Sequence, residues 1–350
     1  MHHEPDSPPL DFASDNHAGA HPEIMAAIWA ANHGHQGNYG TDDYTRRLQT
    51  VVKSQFGDVA EAFPVFNGTA SNVVALQSMQ PTWGAVVCSD CAHLNTAESV
   101  APERVGGMKL LALPAQDGKI RPEQIADHAH AAGVVHHAQP SVVSITQATE
   151  LGTVYLPEEI TAITDAAHSL GMATHMDGAR LSNAAASLDL PLRALTTDAG
   201  IDVLSFGGTK NGLLFGEAVV VLNQAAVQGL DYIRKLDMQL ASKMRFLSCQ
   251  LIALLEDDLW KRLAKHANAM AAVLRERIEK VDGVTLTRPT ESNAVFAILP
   301  GPARRFLHER AEFQDWDPAT GEVRWMCAFD TTVEQVESFA ALVSEAVEAC

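Results

Sequence analysis

Four polar stretches each follow a short apolar run, and their residue types are those of a site that does covalent chemistry. The run "DVLSF" ends in "GGTKNG", which carries Lys210 into a glycine-rich turn between two apolar segments. Lysine is among the residues least often buried, so an amine placed there needs a partner or a task. The run "MATHM" ends in "DGAR", with Asp177 and Arg180. "PVF" is followed by "NGTASN", Asn67 to Asn72, and "VVCSD" by "CAHLNTAES", with His93. Each has an ordinary reading when taken singly: a capped glycine turn, a structural ion pair, a hydrogen-bonded imidazole.

Taken together, the four fit one ligand. A lysine amine can condense with an aldehyde to a Schiff base, and a site that lowers its pKa makes it a better nucleophile. A carboxylate at the preceding strand end can keep a pyridine nitrogen protonated, which makes the ring an electron sink. Glycine and free amides at the start of a helix make a phosphate cradle, and an imidazole can lie over the ring face. These are the parts of a site for pyridoxal 5'-phosphate.

Such parts converge only if the strands that carry them share a sheet. Helical patterns run over 22–32, 42–56, 69–79, 94–100, 122–132, 157–170 and 178–188. Between them lie "AEAFPVF", "GAVVCS", "KLLALP", "PSVVSITQ", "MATHM", "DVLSF" and "GEAVVVL". Apolar runs of this length, bounded by glycine, proline and polar residues, read as strands buried on both faces of a parallel sheet. The expected class is α/β, a mostly parallel central sheet flanked by helices, with ligands outside the carboxyl ends of the strands. Beyond about residue 230 the pattern shifts to long helices over 232–280, shorter strands at "VTLTRP", "NAVFAILP" and "VRWMCAF", and a terminal helix over 331–348. The expected division is a large domain over 11–240 and a smaller C-terminal α+β domain over 241–350.

Composition narrows the partners. The 350 residues carry 25 Lys and Arg against 43 Asp and Glu, a net charge of -18, which argues against nucleic acid or an anionic membrane surface. No apolar stretch approaches the roughly 20 residues of a membrane span, and the N-terminus lacks the pattern of a secretory signal, so a cytoplasmic location is expected. Five cysteines, Cys88, Cys91, Cys249, Cys327 and Cys350, are too scattered for a disulfide framework. Cys88 and Cys91 form a lone CxxC without a second pair, so no metal site is expected.

The segments "DFASDNHAGAHPEIM", "GNYGTDDYT", "AHLNTAE", "MDGARLSNA" and "SFGGTKNG" resemble, in order and over essentially the whole chain, the low-specificity L-threonine aldolases. That resemblance implies the fold type I architecture of pyridoxal-phosphate-dependent transferases. It implies retro-aldol cleavage of threonine, allo-threonine and other β-hydroxy-α-amino acids to glycine and an aldehyde. Lys210 would bond the cofactor, Asp177 pair with the ring nitrogen and His93 stack on the ring. Gly68, Thr69 and Asn72 would bind phosphate. Ser14, Arg180 and Arg324 would hold the substrate carboxylate, a task suited to guanidinium. The family's assembly is a homotetramer, a dimer of dimers with sites at subunit interfaces, so Tyr39 and Arg245 would reach a neighbour's site.

The sequence departs from the family after "VVSITQ". Where some members carry a second histidine, Thr149 and Glu150 stand here, and Gln147 and Glu150 become candidates to surround the substrate hydroxyl. The base for the hydroxyl proton is then His93, with Glu150 behind it. Other fold type I activities would share Lys210 and Asp177: a β-eliminating lyase, a racemase or a serine hydroxymethyltransferase. A non-catalytic homologue is the remaining alternative.

Overall fold

The structure is a computed structural model that describes residues 10–349, so Cys350 lies outside the described residues. Two compact units emerge, one of Ala20–Lys261 and one that joins the described residues through Gly19 to those from Arg262 onward. The division falls at 261/262, whereas the sequence pattern suggests 240/241. The reason is packing: the helix Arg245–Leu255 lies against α1 (Pro22–Ala31) and α2 (Asp43–Phe56) of the larger unit.

Strand β1 (Leu10–Asp11) belongs to the smaller unit. The larger unit is built on β2 (Glu61–Val65), β3 (Gly84–Ser89), β4 (Lys109–Leu113), β5 (Gln139–Thr146), β6 (Ala173–Gly178), β7 (Val203–Phe206) and β8 (Glu217–Val221). Their order across the sheet is β2-β8-β7-β6-β5-β3-β4. All pairings from β7 to β4 are parallel, and β8 alone runs against both of its neighbours. The sheet is mostly parallel, as the sequence predicts, and β8 is its one reversed strand. The connection between β7 and β8 is too short for the crossover that a parallel return requires. Strand β4, at the sheet edge, is only partly buried, against the expectation that every run is covered on both faces.

Helices form where the apolar period and the caps agree. Pro22 starts α1, where its fixed φ suits the first turn, and Asp42 caps α2 by accepting from Thr45 N. The helix α3 (Gly68–Ser78) is capped by Asn67, whose side chain accepts from Ala70 N. The expected helix 94–100 is instead two single turns, α4 (His93–Thr96) and Ala101–Arg104, separated by Ser99 and Val100 with positive φ. On one face of the sheet, Val65, Val86, Val142, Val203 and Val219 pack with Val74 and Leu76 of α3 in a dry core.

The smaller unit holds a four-stranded antiparallel sheet, with β9 (Thr285–Leu286), β10 (Ala294–Ile298), β12 (Gln314–Asp317) and β13 (Glu322–Met326) in the order β12-β13-β10-β9. Strand β11 (Ala311–Glu312) pairs with β1. Phe12 stacks on Phe339 of the terminal helix Val333–Glu348 at 4.4 Å between centroids, and Trp325 meets the same ring edge-on. Among the described residues no helix is long and apolar enough to cross a membrane. None of their His, Cys, Asp and Glu side chains form a group of three placed to hold a metal.

Candidate active site

Strands β2, β3, β5, β6 and β7 point the same way, so the residues after them emerge along one edge of the sheet. Strand β8, reversed, starts at that edge with Glu217. The edge therefore gathers the start of α3, His93, Glu150, Asp177, Lys210 and Glu217.

Asp177, near the end of β6, is buried. Its Oδ1 accepts from Ala179 N at 3.0 Å and its Oδ2 from Asn72 Nδ2 at 2.8 Å. The same amide nitrogen donates to Glu98 Oε1 at 2.9 Å, so one amide group bridges two buried carboxylates. Glu98 Oε1 also meets His93 Nδ1 at 2.9 Å. The result is one continuous chain of side chains, Asp177, Asn72, Glu98, His93. The family resemblance puts Asn72 at the phosphate; its donors are committed to carboxylates instead, and the residue is buried behind the helix start.

His93 is held from a second side. Its main-chain N–H donates to Glu150 Oε1 at 2.7 Å, and Thr146 Oγ1 donates to the same oxygen at 2.8 Å. Burial pushes the Glu150 carboxyl above the usual range, and the charge of Asp177 adds to the shift against the hydrogen bonds that oppose it. Among the described residues, Glu98 Oε2 and Glu150 Oε2 are closed off from solvent without a hydrogen-bond partner. Gln147 is not available to a substrate. Its amide is spent on the main chain of Tyr155, donating to the carbonyl at 2.8 Å and accepting from the N–H at 3.0 Å. Thr149, also buried, is tied to Thr153.

Lys210 is half-buried in a single turn, Thr209–Asn211, that ends at Gly212 with φ 97°. Gly208 N donates to Glu217 Oε2 at 2.5 Å, and Asn211 Nδ2 to Trp260 O at 3.0 Å, so the turn is anchored on both sides of the lysine. Burial raises the Glu217 carboxyl to about 7, opposed by the hydrogen bonds from Gly208 and Thr209 and by the charge of Lys210. Gly207 explains part of the glycine content: a Cβ there would sit 2.6 Å from Ala179 Cα and carbonyl oxygen. The lysine turn and the Asp177 turn thus touch backbone to backbone, joined by Gly207 N to Gly178 O at 3.1 Å.

Behind this edge, His175 of β6 is fully buried between Ser144 Oγ (2.9 Å from Nδ1) and Ser205 Oγ (3.0 Å from Nε2). Burial pushes its imidazole down to about 4, against the pull of Asp177. At the start of α3, Gly68 is exposed and a Cβ on it would meet nothing within 4 Å; Thr69 follows, half-buried. Arg180 is half-buried at the start of the helix Leu181–Ser187, its N–H on Gln147 O. Tyr39 and Arg245 belong to a different cluster. Tyr39 N donates to Ser242 O, Lys235 lies over the Tyr39 ring, and Arg245 Nη1 donates to Gly34 O. In the smaller unit, Arg324 Nη2 reaches Ala13 O, next to Ser14, and pairs with Gln314, while its guanidinium lies over Trp316.

Sequence reasoning missed Glu98, Glu217 and His175. Glu217 carried a signal, an acid at the head of an otherwise apolar run.

Residues 11–300 match the family model described as beta-eliminating lyase. A low-specificity L-threonine aldolase of Pseudomonas aeruginosa is 44% identical over 330 residues, covering 94% of this chain and 95% of that one. One from Saccharomyces cerevisiae is 29% identical over 294 residues, 83% of this chain and 74% of the yeast protein. Among solved structures, the threonine aldolase of Leishmania major superposes with a TM-score of 0.91 at 28% identity, over 97% of this chain and 100% of that one.

Proposed function

We propose, for a chain that belongs to the beta-eliminating lyase family and within it to the low-specificity L-threonine aldolases, that it cleaves L-threonine, L-allo-threonine and related β-hydroxy-α-amino acids to glycine and an aldehyde, with pyridoxal 5'-phosphate as cofactor. The observation that carries the reading is the meeting of Lys210, Asp177 and His93 on the sheet edge where α3 begins. The residues fit the cofactor's chemical parts: an anchored amine, a buried acceptor carboxylate, and a helix start with open space beside Gly68.

Bound there, the cofactor supplies an aldehyde for covalent capture of the amino acid and a ring that withdraws the electron pair released as Cα–Cβ breaks. Lys210 Nζ is the amine that would hold it. Asp177, kept in place by Asn72 and Ala179, holds the proton on the ring nitrogen. The amides at Gly68 and Thr69, at the positive end of α3, take the phosphate. Arg180 takes the substrate carboxylate; for Ser14 and Arg324 the same role rests on the family resemblance alone. His93 Nε2 accepts the β-hydroxyl proton, and Glu150, whose carboxyl burial holds above the usual range, stands behind it. Tyr39 and Arg245 are assigned to a neighbour's site in a homotetramer, again by resemblance.

Incubation of the purified protein with threonine, allo-threonine and phenylserine tests the reaction class. Glycine and the matching aldehyde are expected in equal amounts; ammonia and a keto acid in their place would make the enzyme an eliminating lyase. Borohydride should fix the cofactor to the protein, and Lys210→Ala should abolish both the fixation and the cleavage. Retention of either in that variant overturns the role of Lys210.

A further inference from the structure

We propose that Glu98 is a positioning residue for His93, fixing its ring as the Nδ1–H tautomer so that Nε2 is the nitrogen left to accept a proton. The proposal rests on the reading of His93 as the acceptor of the β-hydroxyl proton.

The geometry leaves the imidazole little choice. Glu98 Oε1 lies 2.9 Å from His93 Nδ1 and already accepts from Asn72 Nδ2 at the same distance. A carboxylate only accepts, so the ring nitrogen facing it must carry the hydrogen. Glu98 cannot turn away to suit the other tautomer. Its side chain is wholly buried, and Asn72, which holds it, is itself held by Asp177 Oδ2 at 2.8 Å. The His93 backbone is fixed independently by Glu150 Oε1. Both the pivot of the ring and one of its nitrogens are therefore set by buried carboxylates. The imidazole remains 45% exposed, so its exposure falls on the part that Glu98 does not cover.

A second consequence concerns coupling. Because Asn72 spends its amide on Asp177 and Glu98 together, the group assigned to the ring nitrogen and the group that orients the base share one hydrogen-bond donor. Displacing either carboxylate shifts the amide that supports the other.

The test uses the cofactor-loaded enzyme labelled with 15N-histidine, with His93→Phe identifying the His93 signals. In the parent enzyme Nδ1 is expected to be protonated and Nε2 bare. Glu98→Leu, which keeps the bulk and removes the acceptor, should lose the preference for Nδ1–H. Its kcat for threonine cleavage should fall on the order of 100-fold, with KM changed much less. Glu98→Gln keeps an acceptor oxygen, so it should retain the Nδ1–H tautomer and lose less kcat than Glu98→Leu. In the His93→Phe background, Glu98→Leu should cost no further kcat, since a residue acting through His93 has nothing left to act on. Nε2–H in the parent enzyme, an unchanged tautomer in Glu98→Leu, or fully additive losses in the double variant each overturn the proposal. Should Glu98→Leu fail to fold, loss of Nδ1–H in Glu98→Gln overturns it as well. If the parent enzyme does not cleave threonine, the proposed function fails, while the tautomer signals still decide what Glu98 does to His93.

Discussion

A single amide, that of Asn72, stands between two buried carboxylates and supplies each with a donor. Leaving a buried acceptor without its donor costs about 1–3 kcal/mol, more for a charged group. Asn72→Leu strips one donor from Asp177 and one from Glu98, and it should lower stability by roughly 2–4 kcal/mol in urea unfolding. A loss below about 0.5 kcal/mol would mean that solvent replaces the amide. This scale also marks where the sequence is readable. Lys210, Asp177 and His93 stand just past apolar runs, so their placement at a sheet edge follows from where strands end. Glu98 sits in "NTAESV", which reads as a polar turn, yet it is buried and its donor is Asn72, 26 residues away. Gln147 shows the opposite error. It follows an apolar run like the others, yet its amide closes a loop on Tyr155, a contact that no local pattern announces.

Among the elements, the turn after β7 does the most to bring the site together. It approaches the turn after β6 so closely that Gly207 has no room for a side chain: the 2.6 Å approach is to backbone atoms of Ala179, which cannot rotate aside. Gly207→Ala should therefore push the lysine turn from the aspartate turn, costing about 1–3 kcal/mol of stability as an overpacked contact does. Cofactor affinity, read from absorbance titration, should fall with it; unchanged affinity would show that the two turns are positioned independently. The strands themselves were largely legible, because fully apolar runs between breakers have few other uses. Direction was not. "GEAVVVL" is apolar on both faces whichever way it runs, and only the short connection before it dictates that β8 reverses. The helix-like stretch 94–100 is interrupted because Ser99 and Val100 take positive φ, which a propensity reading does not foresee.

For the whole molecule, two buried groups, one at this edge and one behind it, contribute to how stability varies with pH, in opposite senses. His175 titrates near 4 when folded and near 6.5 when unfolded, so the unfolded chain binds its proton first. Its contribution is complete above pH 6.5 and is lost as pH falls toward 4. Glu217 titrates at about 7 when folded against 4.5 unfolded, so its contribution is complete below pH 4.5 and is lost as pH rises to 7. Each is worth at most about 3.5 kcal/mol, at roughly 1.4 kcal/mol for every pH unit separating the folded from the unfolded titration, and between pH 4.5 and 6.5 they offset each other. Glu217→Gln should thus expose the His175 slope: the variant gains stability over the parent enzyme at pH 8, and that gain shrinks toward pH 4.5, as unfolding midpoints at several pH values would show. Parallel curves for the two proteins would mean that Glu217 is charged in both states. The hairpin that holds Lys210 has one more consequence. Strands β7 and β8 are direct ladder neighbours, so residues 207–216 form a loop that lies outside the ladder itself. Lys210 therefore rides on a loop that is anchored to its surroundings yet lies outside the strand pairing, and such a fold can rewrite that loop in evolution while every strand stays in register.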